Sequence, residues 1–344
     1  MSEVVDHLAE LTGFRDRDVM DVTLVAALRD LLEPLSVGIF RCVGEAGQER
    51  WLTRAHLCAG EAVASADPLW SDPATLPPAQ AYPLRVDCMR NHSIVQVRDK
   101  GQWLTLFPII TERDVVGVLE ISSADVLPNQ SQRMVCSVLR IYHNFQGLLD
   151  YSERDTLTGL LNRRTFDESF LKAVSGKPTL VGSTAPLGRR QLHDESQYWL
   201  GLIDIDHFKL VNDSFGHLIG DEVLLLLSRL MRNSFRFHDL LYRFGGEEFV
   251  VLMRCESEDH ANQAFERLRL NTEQYQFPQV GRITVSVGFA RVRAGDTPAT
   301  AFDRADKAVY YAKGSGRNQV CSHAALIESG QMEDHSQVNS MELF

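Results

Sequence analysis

The chain has 344 residues and a formal net charge of −11, from 35 Lys and Arg against 46 Asp and Glu. That acidity argues against a partner such as nucleic acid or an anionic membrane, and 44% apolar with 24% charged residues argues against wholesale disorder. The length fits two domains. No apolar run approaches bilayer length. Met1-Ser2-Glu3 is unlike a signal peptide, and the six cysteines lack any C-x-x-C spacing. Reduced thiols and a cytoplasmic location are therefore expected.

Residues 1–20 read as a polar lead-in. Residues 21–128 read as mixed α/β. Helical spacing runs over 22–32, and strands are predicted at 37–43, 94–97, 103–110 and 115–121. The proline-rich stretch 68–83 reads as a loop. A closing pair of strands is expected around Arg113 and Asp114. His56, Cys58, Cys88 and His92 show no metal-ligand spacing and read as structural.

A helix follows over 129–154. Met134, Val138, Ile141, Phe145 and Leu148 step by four, three, four and three, a short heptad stripe. Two readings fit it: a helix packed on its own N-terminal domain, or a parallel dimer stalk. The second is preferred because the stripe runs up to Asp155, where the next domain is expected to start.

Two stretches carry the chemistry. Residues 198–206, Tyr-Trp-Leu-Gly-Leu-Ile-Asp-Ile-Asp, form a buried strand ending in carboxylates. Residues 240–253 place Gly245-Gly246 at a hairpin tip, followed at once by Glu247 and Glu248. Glycine reaches positive φ without steric cost, so the tip is a tight turn. Adjacent acids beside a buried sheet are costly unless a cation sits there, and a divalent metal is the usual answer. Asp204 at its strand end is expected to face Glu247 across the sheet, with Lys209 supplying a cation for phosphate oxygens. A short helix, a Gly turn and a longer helix over 221–234 should follow, with Asp221 at the N-cap position.

With residues 155–164 (Asp-Thr-Leu-Thr-Gly-Leu-Leu-Asn-Arg-Arg), the strand at 283–290, and Asp306 to Lys313 with Arg317-Asn318, these stretches resemble the GGDEF family of diguanylate cyclases over about 155–321. The resemblance implies an α/β fold: an α+β palm-like domain with a central, mostly antiparallel sheet flanked by helices. It implies condensation of two GTP into cyclic di-GMP by a homodimer, with Mg²⁺, two ions per site, or Mn²⁺. It implies Asp204, the Ile205 carbonyl, Glu247 and Glu248 as metal ligands, with Glu247 or Glu248 as the base. It implies Lys209, Lys313 and Arg317 on the phosphates, the last two on one helix face. Phe208, Asn212, His217 and Asp221 would bind substrate, with Asn212 and Asp221 reading guanine. Capping by Asp221 and a plain turn role for His217 stay open. Arg236-x-x-Asp239, with Arg267, matches the family's inhibitory site for the product. The 172–197 connection is longer than usual in the family and reads as a surface loop. Residues 322–344 show no apolar period and read as a flexible tail. The 21–128 region resembles a GAF-type sensor domain, a PAS-type sensor being the alternative, with an unknown small molecule or protein as its input. The contrasting function is a silent GGDEF module that binds GTP or cyclic di-GMP. Retention of the acids with Lys209 and Asn212 favours the enzyme.

Overall fold

The computed structural model describes residues 13, 16–44, 47–68, 71, 73–110, 115–175 and 197–333. The turn expected around Arg113 and Asp114, most of the 172–197 connection and the end of the tail lie outside them. The described residues divide into two compact units, one running to Ser152 and the other starting at Glu153.

The first unit opens with α1 (Arg17–Leu32). It starts before the apolar spacing does, because the Asp16 carboxylate accepts the Asp18 N–H at 2.9 Å and caps it. Five antiparallel strands follow in the order β2-β1-β5-β4-β3. They are β1 (Ser36–Val43), β2 (Arg50–Cys58), β3 (Val95–Asp99), β4 (Gln102–Ile110) and β5 (Val115–Ser123). Sequence patterning misses β2, because Arg54 and His56 interrupt its apolar run. The stretch expected to be loop gives way at Pro83 to α2 (Pro83–Asn91), whose opening proline has its φ already set for a helix.

The long helix α3 (Asn129–Glu153) settles which face packs inward. Val135, Val138, Tyr142 and Leu149 join the core of Met20, Leu24, Ile39 and Leu119. Of the expected stripe, Val138 alone is fully buried, while Leu148 is 66% exposed. The packed face is rotated by about one residue from the stripe. Its anchor is a polar residue: the Tyr142 hydroxyl donates to Asp21, which is fully buried. Counting apolar positions cannot find such a contact.

The second unit is built on a six-stranded sheet ordered β11-β10-β7-β9-β8-β6. Its strands are β6 (Leu161–Asn162), β7 (Gln197–Ile205), β8 (Leu240–Gly245), β9 (Glu248–Cys255), β10 (Val285–Arg291) and β11 (Val320–Ser322). The central pairings are antiparallel, and the two edge pairings, β6 with β8 and β10 with β11, are parallel. Its helices are α4 (Arg163–Ser175), α5 (Phe208–Phe215), α6 (His217–Ser234), α7 (Glu258–Gln274), α8 (Pro298–Gly314) and α9 (His323–Glu328). The core joins Val223, Leu224, Leu227 and Met231 of α6 to Phe265 and Leu268 of α7 and to the inner strands. Residues 323–328, expected in a flexible tail, are helical instead: the Ser322 hydroxyl caps α9 and Leu326 is buried against Ala308 and Ala312. One buried leucine anchors the turn without making an apolar period.

Candidate active site

The carboxylates gather where β7, β8 and β9 end. The β8–β9 hairpin turns through Gly245 at φ 146° and Gly246 at φ 50°, so both positions need glycine for their backbone. Arg243 ties this turn down. Its guanidinium donates to the Gly246 carbonyl at 2.9 Å and to both Asp155 oxygens at 3.1 and 3.2 Å. Asp155 also accepts from the Thr158 N–H and hydroxyl. Burial alone would raise the Asp155 carboxyl, but Thr158 and Arg243 outweigh it and hold it below its ordinary range. Arg243 was not singled out from the sequence. Its signal was there: an arginine directly before the Phe-Gly-Gly tip.

The register pairs Asp204 with Glu248 across the β7–β9 ladder, and Glu247 sits in the turn itself. The facing residue is therefore the second acid rather than the first. Glu247 is nonetheless close enough to feel Asp204. Burial, then Asp204 and Glu248, raise its pKa, against Lys313. Asp204 is buried, and burial raises its pKa too, with Glu248 and Asp206 adding to the effect and Lys313 opposing it. Lys313, near the end of α8, places its Nζ 2.6 Å from Asp204 Oδ2. Its ammonium supplies the positive charge these acids call for.

Among the described residues no three His, Cys, Asp or Glu side chains close into a metal cage. The donor set still suits a hard divalent ion. Mg²⁺ is usually held by one or two carboxylates and completed by substrate phosphates and water. Asp204, Glu247 and Glu248 fit that pattern, and burial with neighbouring acids raises the carboxyl pKa of the first two.

The α5–α6 elbow holds the remaining predicted residues. Phe208 is buried beneath it, Lys209 and His217 are exposed, and Asn212 is half-buried. A methyl group at Gly220 would sit 2.0 Å from Asn212 Oδ1, so the absent side chain there lets the amide lie against α6. Asp221 is not an N-cap. Helix α6 begins four residues earlier at His217, behind Gly216, which leaves Asp221 exposed within the helix beside the Asn212 contact. The capping role falls away because Gly216, at φ 83°, already makes the break.

Arg317 is also displaced from its expected place. Helix α8 stops at Gly314, and Arg317 lies past it, exposed, with φ 63°. It does not share a helix face with Lys313, because Gly314-Ser315-Gly316 ends the helix between them. Asp206, which sequence reasoning passed over, is buried and fully engaged. It accepts from Thr284 Oγ1 and Ser286 Oγ at 2.7 Å each and from the Asn318 N–H at 3.0 Å.

Arg236 and Asp239 form a tight turn beyond α6, the Arg236 N–H donating to Asp239 Oδ2 at 2.8 Å. Arg267 donates from Nε to the Ser234 carbonyl at 2.9 Å and lies close enough to Asp239 to act on its charge. Burial pushes the Asp239 carboxyl up to about 6, against the pull of both arginines. The two arginines thus bracket one acid, with Arg236 exposed.

The α/β unit thus gathers acids at central strand ends, with a lysine on them and an Asn–Asp elbow alongside. The comparisons give it a family. Residues 152–319 match the family described as "Diguanylate cyclase, GGDEF domain", and this segment is a GGDEF domain. The chain is 36% identical over 223 residues to the response regulator PleD of Caulobacter vibrioides, covering 61% of this chain and 46% of that protein. It is 37% identical over 169 residues to the diguanylate cyclase DgcP of Pseudomonas aeruginosa, covering 48% of this chain and 23% of that one. The chain spans less than half the length of either relative. Among solved structures, the GGDEF domain of DgcB from Caulobacter crescentus in complex with c-di-GMP is 28% identical, with a TM-score of 0.42, covering 50% of this chain and 96% of that one.

Proposed function

We propose that the chain is a diguanylate cyclase that condenses two GTP into cyclic di-GMP and two pyrophosphates. The observation that carries this reading is the convergence of Asp204, Glu247, Glu248 and Lys313 at one sheet end. In each step the 3′-oxygen of one GTP bonds to the α-phosphorus of the other and the bond to the pyrophosphate breaks. The hydroxyl proton passes to Glu247 or Glu248. Burial, with Asp204 and Glu248 nearby, raises the Glu247 carboxyl, which brings that base nearer to the pH at which it works. A divalent ion, Mg²⁺ with Mn²⁺ as substitute, held by Asp204, the Ile205 carbonyl, Glu247 and Glu248, would supply charge neutralisation on the triphosphate.

Lys209, Lys313 and Arg317 take the phosphates. Lys313 exchanges Asp204 for a phosphate oxygen once substrate brings its own cation. Asp221 and Asn212 read guanine. A carboxylate accepts the N1–H and N2–H₂ donors together, and adenine lacks that pair, so ATP is disfavoured. Two such domains face each other in a homodimer, because each holds one GTP. Arg236, Asp239 and Arg267 form a product-binding inhibitory site. The N-terminal unit is a GAF-like sensor that takes an input from a small molecule or protein, and the protein works in the cytoplasm.

Incubation of the purified protein with GTP and Mg²⁺, with the product identified by mass, tests the reading. Cyclic di-GMP together with pyrophosphate is expected. GTP binding without turnover would replace the enzyme with a nucleotide receptor.

A further inference from the structure

One buried carboxylate joins the metal-side strand end to the loop that carries Arg317. Asp206 directly follows Ile205, and its own N–H donates to the Thr284 carbonyl at 3.0 Å. Its side chain holds Thr284 and Ser286 at the start of β10 and the Asn318 N–H after α8. Asn318 is gripped again through its side chain, from α7. Its Nδ2 donates to Glu273 Oε1 at 2.9 Å, and its Oδ1 accepts from the Arg269 guanidinium at 2.9 Å. Arg269 is fixed in turn by Glu266 and Glu273. Asn318 therefore meets three groups on two elements, more than a loop residue needs in order to end a helix.

The backbone these contacts hold is an unusual one. Arg317 and Asn318 are both left-handed, at φ 63° and 46°; asparagine enters this region readily, but an arginine there is uncommon and is held by its surroundings. The Arg317 N–H donates to the Ala312 carbonyl at 3.0 Å, while the side chain stands exposed, without an ion pair among the described residues. An exposed cation next to a residue fixed from two sides is placed to meet an anion.

We propose that Asp206 and Asn318 are positioning residues: a clamp that sets Arg317 at the terminal phosphates in register with Asp204 and the Ile205 carbonyl. The clamp rests on the nucleotide reading above and adds to it two residues that touch no substrate. Because Asp206 sits one residue from the strand end, metal side and phosphate grip share one anchor. Binding energy from the terminal phosphates then comes with the α-phosphate already aligned.

The test uses the full chain with Mg²⁺ and calorimetric titration of two probes, a GTP analogue with a methylene between the α- and β-phosphorus, and GMP. Arg317→Ala should weaken the analogue about tenfold and leave GMP unchanged. Asn318→Ala should do the same, at an unchanged melting temperature. The double variant should lose no more than either single one, since the clamp acts through the arginine. Glu273→Ala, which removes one of Asn318's contacts and one of Arg269's from a half-exposed side chain, should shift the analogue the same way by less, and it decides the matter if Asn318→Ala does not fold. Full analogue affinity in Asn318→Ala, or additive losses in the double variant, would overturn the clamp while leaving Arg317 on the phosphates. Full affinity in Arg317→Ala would overturn both.

Discussion

Asp21 of the first unit and Asp204 of the second are buried acids held in opposite ways. In the first, Asp21 is fully buried and saturated, by the Tyr142 hydroxyl on one oxygen and by Arg54 Nε at 2.9 Å on the other. Arg85 is likewise closed in. It pairs with Glu120 at 2.7 Å and lies over the Phe40 ring at 3.5 Å. In the second unit, Asp204 is buried but held by a single half-exposed lysine, with Glu248 and Asp206 pushing against it. A buried acid with both oxygens paired holds a fold together. One left short of partners, and repelled by its neighbours, is poised for a cation that comes with the substrate.

The sharpest way to break this contrast is to neutralise the acids that are short of partners. Asp204→Asn or Glu247→Gln should lower turnover by 100-fold or more, on the order of several kcal/mol of transition-state stabilisation. Thermal stability should hold or rise, since a repelling charge is gone. Product formation followed by mass, beside circular dichroism, checks both halves. Near-normal turnover in either variant would remove these acids from the chemistry.

The saturated acid should give the reverse. Asp21→Ala leaves the buried Tyr142 hydroxyl without its acceptor and Arg54 with Asp18 as its remaining acid, and breaking a buried pair costs up to about 3–5 kcal/mol. The transition of the N-terminal unit in urea should move to markedly lower concentration, while GTP-analogue binding by the folded protein stays as it was. A silent Asp21→Ala would mean that saturation is not what distinguishes the two regions.

The same contrast explains what the sequence could show. Reaction chemistry dictates residue type and spacing together, so Gly245-Gly246-Glu247-Glu248 and the strand ending at Asp204 could be read directly. Arg317 could be recognised but not placed, because it lies beyond the helix end in a left-handed conformation, next to an Asn318 held through space by Asp206. In the first unit, strand β2 and the inward face of α3 stayed hidden. Their inward positions include the half-buried Arg54 and the buried Tyr142, whose partner Asp21 lies 33 residues away from the first and 121 from the second. Pattern reading sees apolar period, and a satisfied polar core has none.

Asp239 lies between the two regimes and sharpens the comparison through pH. It is buried with two arginines nearby, yet its carboxyl sits at about 6, raised from 3.8. Its folded form therefore holds a proton that the unfolded chain has already lost between those values. Stability from this group is present below about pH 4 and is lost as pH rises through 6. The difference is about 2–3 kcal/mol. The charged neighbours are Arg236 and Arg267, with His238 Nε2 at 3.8 Å and Cys255 close by. Asp239→Asn should flatten the fall in urea midpoint between pH 4.5 and 7 and stabilise the protein at the upper end. An unchanged slope would place the acid with the saturated ones.

The smallest expected effect concerns the face of α3 that the N-terminal core leaves open. Val138, Tyr142 and Leu149 turn inward, while Leu148 and Tyr151 stand 66% and 79% exposed. On the dimer reading, the exposed side of the helix adds to the contact between two copies, and a linked pair raises the effective concentration of the second domain. Leu148→Glu places a charge there without touching the packed face, so the fold should survive and the dimer should loosen. Specific activity should then fall about tenfold at nanomolar protein, roughly 1.4 kcal/mol, and recover at high concentration. Sedimentation at both concentrations reports the dimer directly. A variant that stays dimeric and fully active when dilute would show that Leu148 lies outside the pairing surface, and that the two GTP sites are brought together by contacts elsewhere on the chain.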